Sequence, residues 1–161
     1  AVCRSAWSIK RAVEKINGRV TVMAFNDQAK VVYSADEKAT AGDLRFVGSS
    51  GGTNPFYALT ETTRIMSNTK APSKLVFILT DGAWNDDRGN DNLIKKLQAD
   101  GVYVSIIFLS SWIIRLIAED RASENDLEQY RHGADDFTAI GKPQDLVTVA
   151  RKAVKSAISR H

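Results

Sequence analysis

Leu75-Val76-Phe77-Ile78-Leu79-Thr80-Asp81-Gly82 is the stretch on which the fold turns. Leu75 to Leu79 is apolar without a break, lacking the alternation of a strand that has one wet face. Such a run marks a strand buried on both sides, the kind found in parallel sheets covered by helices. It stops abruptly at Thr80-Asp81-Gly82, which places a carboxylate at the carboxyl end of the strand.

The pattern repeats downstream. Leu93, Ile94 and Leu97 mark a helix closed by Gly101, and Val102 to Leu109 is a second buried strand. Trp112 to Ala118 and Asp126 to Arg131 read as helical, Phe137 to Ile140 as a short last strand. Pro143 opens a closing helix with Leu146, Val147, Ala150, Val154 and Ile158 on one face.

Upstream, Ser49-Ser50-Gly51-Gly52-Thr53-Asn54-Pro55 is the most glycine-rich point of the chain. It runs into a helix carrying Leu59, Ile65 and Met66, with Pro55 near the first helical position. Val20 to Phe25 and Lys30 to Tyr33 predict a hairpin turning at Asn26-Asp27-Gln28, and Ala35 to Leu44 reads as loop. Val2, Ala6, Ile9, Val13 and Ile16 recur at helical spacing, with Gly18 where a helix end favours a left-handed residue. Strands alternating with helices imply a three-layer α/β domain. Its sheet is mostly parallel, with one antiparallel strand from the hairpin and helices on both faces.

The chain has 161 residues, 43% hydrophobic and 25% charged, which fits one soluble domain spanning residues 1–161. Its net charge is +3, and the basic residues are scattered along the sequence, which argues against a dedicated nucleic-acid binder. No segment approaches the ~20 apolar residues that span a bilayer, so neither nucleic acid nor membrane is expected as a partner. Cys3 is the only cysteine; an unpaired thiol fits a reducing, intracellular compartment. The chain opens without Met, without a signal-peptide pattern, and directly into a helix, so it reads as a segment of something longer.

Ligands of open α/β sheets bind beyond the carboxyl ends of the strands. Two features fall there: Gly51-Gly52-Thr53, presenting a hydroxyl before a helix, and Asp81, with Asn85, Asp86 and Asp87 close by. A hydroxyl and a carboxylate converging on one edge suit a hard cation such as Mg²⁺, which prefers oxygen ligands and tolerates only one or two carboxylates. A partner's Asp or Glu can complete a site left short of ligands. Read structurally, Gly52-Thr53 simply turns the chain and Asp81 caps the next loop. Ser49 to Thr53 also invites an anion at the helix N-terminus, but it lacks the Gly-Lys-Ser/Thr ending of a phosphate loop. His132 and His161 stand apart, His132 beside Gly133 reads as a loop residue, and hydrolase machinery is absent. The expectation is a non-enzymatic protein.

Phe25-Asn26, Gly51-Gly52-Thr53-Asn54, Ala58-Leu59 and Leu75 to Gly82 resemble von Willebrand factor A-type domains in identity, order and spacing. The resemblance covers nearly the whole chain and implies a Rossmann-like fold that binds other proteins through a divalent metal. The family holds the metal with an Asp-x-Ser-x-Ser motif, a Thr and an Asp. The last two fall on Thr53 and Asp81. Gly52, Asn54, Trp84 and Asn85 then flank the metal as partner-contacting positions, although Trp84 is more simply read as packing beneath the loop. The resemblance implies Mg²⁺ or Mn²⁺ bridging to a partner carboxylate.

The family's Asp-x-Ser-x-Ser motif ends a first strand that has no counterpart before Ala1, and the domain is expected to be truncated at its N-terminus. Cys3-Arg4-Ser5-Ala6-Trp7-Ser8 has two serines but no aspartate. Two other readings remain: a metal-independent scaffold, and an anion- or nucleotide-binding module.

Overall fold

The computed structural model describes residues 2–26, 28–46, 54–80, 84, 88–109, 115, 118–120 and 130–159. Helix α1 spans Val2–Lys15 and leads into an antiparallel hairpin, β1 (Val22–Phe25) and β2 (Ala29–Tyr33). Helix α2 (Phe56–Ser67), strand β3 (Lys74–Thr80), helix α3 (Arg88–Ala99) and strands β4 (Val102–Leu109) and β5 (Asp136–Ile140) follow. A short 3-10 turn at Pro143–Asp145 then starts helix α4, Leu146–Ser159.

β3, β4 and β5 form a three-stranded parallel sheet in that order. Alternate side chains of its strands feed two cores. Val76 and Ile78 of β3 and Val102, Val104 and Ile106 of β4 pack with Leu59 of α2 and with Ile94 and Leu97 of α3. On the other face Phe77, Leu79, Ile107 and Leu109 meet Ile9 of α1 and Leu146 and Val149 of α4. The three layers follow from the two unbroken apolar runs, since a strand apolar on both faces needs a helix on each.

The hairpin is a separate two-stranded sheet: among the described residues no strand pairing joins β1 or β2 to β3. The described strands thus form a parallel sheet and an antiparallel hairpin, as the α/β pattern predicts.

Three local expectations change. The left-handed residue ending α1 is Asn17, at φ 65°, not Gly18. Asn17 N–H donates to Glu14 O at 3.1 Å and Gly18 N–H to Val13 O at 2.9 Å, the paired bonds of a Schellman end. Gly18 is needed for space, because a Cβ there would lie 2.3 Å from Val13 Cγ1. Ile16 and Ile158 are 65% and 53% exposed, so both helical stripes end before their last apolar residue. Ala153 instead joins Leu146 and Ala150 on the buried side of α4.

Lys10 is fully buried. Its ammonium donates to Val20 O at 2.6 Å and Ser34 O at 3.1 Å and lies 3.3 Å from the Glu14 carboxylate. Helix α1 is thereby tied to the open end of the hairpin, where β1 begins and β2 ends. The helices read over Trp112 to Ala118 and Asp126 to Arg131 lie largely outside the described residues.

Candidate functional site

Because β3, β4 and β5 are parallel, they end on one edge, at Thr80, Leu109 and Ile140. Asp81 follows Thr80 directly in sequence. Thr53, Asp81, Gly52 and Asn85 themselves lie outside the described residues, so the contacts they make are not part of this geometry. What the structure does place are the anchors on either side of them.

Asn54 is the first of these. Its backbone N–H donates to Asn26 O at 2.9 Å, fixing the residue after Thr53 to the end of β1. Its side-chain Oδ1 accepts the Phe56 N–H at 3.1 Å, in the first turn of α2. The buried Asn90 of α3 directs its Nδ2 at the same oxygen from 3.4 Å, a long and correspondingly weak bond. A Cβ added to Gly89 would meet the Phe56 ring at 3.0 Å. The amino ends of α2 and α3 therefore sit against each other. The segment leaving Thr53 and the helix entered after Asp81 are brought together, although 36 residues separate Asn54 from Asn90. Two adjacent helix N-termini favour negative charge nearby.

Trp84 is the second anchor, and it is packed, as its simpler reading expects, and not exposed. It is only 5% exposed. Its indole stacks on the His132 imidazole with centroids 3.9 Å apart and planes 7° from parallel. His132 Nδ1 lies 3.0 Å from Asp91 Oδ1 in the first turn of α3. His132 is a buried turn residue at φ 52°, a region more open to His than to most side chains. Trp84 Nε1 has no hydrogen-bond partner among the described residues. Trp84, three residues after Asp81 in sequence, is thus held against the 130–133 turn. Sequence reasoning missed this His–Trp pair, because 48 residues of sequence separate its members and neither belongs to a motif.

As a metal centre the donor chemistry is right but sparse. A hydroxyl and a carboxylate suit a hard cation, yet two side chains fall well short of octahedral coordination. Among the described residues no group of three or more His, Cys, Asp or Glu side chains could hold a metal. A groove of about 550 Å³ lined by Met23, Gln28, Ala29, Val31, Tyr57 and Glu61 contains none of the proposed site residues.

The fold is that of a von Willebrand factor A-type domain. Proximal thread matrix protein 1 from the mussel byssus superposes over 95% of this chain with a TM-score of 0.63 and 17% identity. A second structure of that protein, with its MIDAS motif occupied by zinc, gives a TM-score of 0.65 at 15% identity. A von Willebrand factor type A protein from Catenulispora acidiphila gives 0.62 at 16% identity over 96% of this chain. The chain spans about two fifths of the length of these proteins, at 41%, 42% and 38%. It covers 88% of BatB from Bacteroides thetaiotaomicron, at a TM-score of 0.61 and 14% identity over 98% of this chain. No family model and no curated protein matches the sequence.

Proposed function

We propose that this domain is a non-catalytic protein-binding module. Its partner docks at the edge where the parallel strands end, and a divalent cation, Mg²⁺ or Mn²⁺, bridges to an Asp or Glu of that partner. Thr53 would ligate the cation directly or through water, and Asp81 through water. The observation that carries this reading is the Asn54–Asn90 contact, which fastens the segment after Thr53 to the helix entered after Asp81. The zinc-occupied MIDAS motif of the mussel protein supports a divalent cation in a domain of this fold. Only two of the expected side-chain ligands have counterparts here, so further oxygens come from water, the partner or another segment.

The experiment is titration of the chain with Mn²⁺ followed by NMR. Paramagnetic broadening is expected first at the side-chain amides of Asn54 and Asn90, and is expected to vanish in Asp81→Ala. Uniform weak broadening, unchanged in the variant, would instead favour the metal-independent scaffold, a reading consistent with the short donor set.

A further inference from the structure

We propose that the outer faces of α1 and α4 together form a basic plane that docks on an anionic phospholipid surface, independently of the strand-end site. Both helices cover the same side of the parallel sheet, Ile9 of α1 and Leu146 and Val149 of α4 sharing one core cluster, and they pack against each other. Side-by-side helices spaced 8–10 Å apart present a plane and not a cleft.

The charge on that plane is one-sided. The two helices hold Arg4, Lys10, Arg11, Lys15, Arg151, Lys152 and Lys155 against a single acid, Glu14. Lys10 and Glu14 neutralise each other in the interior, at 0% and 9% exposure. Six cations are left, all exposed except the half-buried Arg11. At 100° per residue, Arg4, Arg11 and Lys15 fall within roughly 40° on α1. On α4, Arg151, Lys155 and the exposed Ile158 fall within about 60°. Asp145, in the turn before α4, is the acid beside its amino end.

The chain's net charge is only +3, so these six cations outweigh the whole and the rest of the molecule is net acidic. Such a polarised domain orients itself, basic face first, towards an anionic surface. Residues near the two ends of the chain meet here, which is why the basic residues look scattered in sequence.

A lipid surface suits this plane better than nucleic acid. The α4 stripe includes an aliphatic side chain able to enter the headgroup layer. The one aromatic of the two helices, Trp7, is half-buried. Its indole N–H donates to Thr40 O at 2.9 Å, and the Arg11 guanidinium lies 4.9 Å from the ring centroid. Among the described residues of the two helices no ring is left for base stacking.

The test is co-sedimentation of the chain with phosphatidylcholine vesicles, with and without about 30% phosphatidylserine, at ~0.15 M salt. Binding is expected only with phosphatidylserine and is released by high salt. At about fivefold per cation, Arg11→Gln/Arg151→Gln/Lys155→Gln is expected to weaken it by roughly 100-fold, and Arg4→Gln/Lys15→Gln by roughly 25-fold. Arg4 and Lys15 are exposed, so Arg4→Gln/Lys15→Gln should melt at the temperature of the unmodified chain. Ile158→Ser should weaken binding without altering its salt dependence. Equal binding to both vesicles, or unchanged binding by both variants, would overturn the proposal. So would release of the protein by duplex DNA at equal total charge, which would assign the plane to nucleic acid.

Discussion

The Trp84 indole and the His132 imidazole lie face to face, 3.9 Å apart and within 7° of parallel, and both are buried. The pair joins two segments that the sheet itself does not connect: the loop after β3 and the turn before β5. Asp91 extends the contact to α3 through His132 Nδ1.

Replacing Trp84 therefore loosens the strand-end loop as well as the core. Trp84→Ala is expected to cost about 3–5 kcal/mol, the range for a buried aromatic truncation. Trp84→Phe, which keeps a stacking ring, should cost less. Urea denaturation checks the energies. If Trp84→Ala lost under ~1 kcal/mol, the stack would not be holding the loop.

The buried Lys10–Glu14 pair gives a sharper test of how α1 is attached. Lys10→Met leaves Val20 O, Ser34 O and the Glu14 carboxylate without their cation and should cost about 3–5 kcal/mol. The double variant Lys10→Met/Glu14→Gln should recover part of that, since no lone charge then remains inside. Additive losses in a double-mutant cycle would deny the coupling.

The end of α1 separates two roles that adjacent residues fill. Gly18→Ala pushes a Cβ into Val13 and is expected to cost about 1–3 kcal/mol. Asn17→Val, forced to positive φ, should lose about 1–2 kcal/mol, while Asn17→Gly should be neutral or slightly stabilising. Thermal melts of the three variants decide whether this assignment holds.

Glu37 titrates far from its ordinary range. Its carboxylate accepts hydrogen bonds from Arg45, at 2.9 Å to each oxygen, and from Ser34 N–H at 2.9 Å. Chiefly through Arg45 and then Ser34, its pKa falls from 4.5 to about 2. A depressed carboxylate stabilises the fold above its unfolded value, so this contribution is complete above about 4.5 and is lost as pH falls towards about 2. An NMR titration of the Glu37 side chain should show the low midpoint, and Arg45→Gln should raise it.

Much of the fold was readable because two elements carry unambiguous patterns. Leu75–Leu79 and Val102–Leu109 are apolar on both faces, and that alone calls for a helix layer on each side of a parallel sheet. Where a single contact decides, the sequence is silent. Lys10 sits on a helix face that looks solvated, yet three oxygens draw its ammonium inside. Gly18 looks like the left-handed residue, but the helix ends one position earlier, where Asn tolerates positive φ, and glycine serves for clearance. At the site, Asn54 was legible from its motif. His132, Asp91 and Asn90 were not, since nothing in their neighbourhoods points across the fold.

The most direct measurement is calorimetric titration of the chain with Mn²⁺ and Mg²⁺ beside the Asp81→Ala variant. The account predicts weak but saturable one-to-one binding that the variant loses. No binding, or an isotherm unchanged by Asp81→Ala, would contradict it.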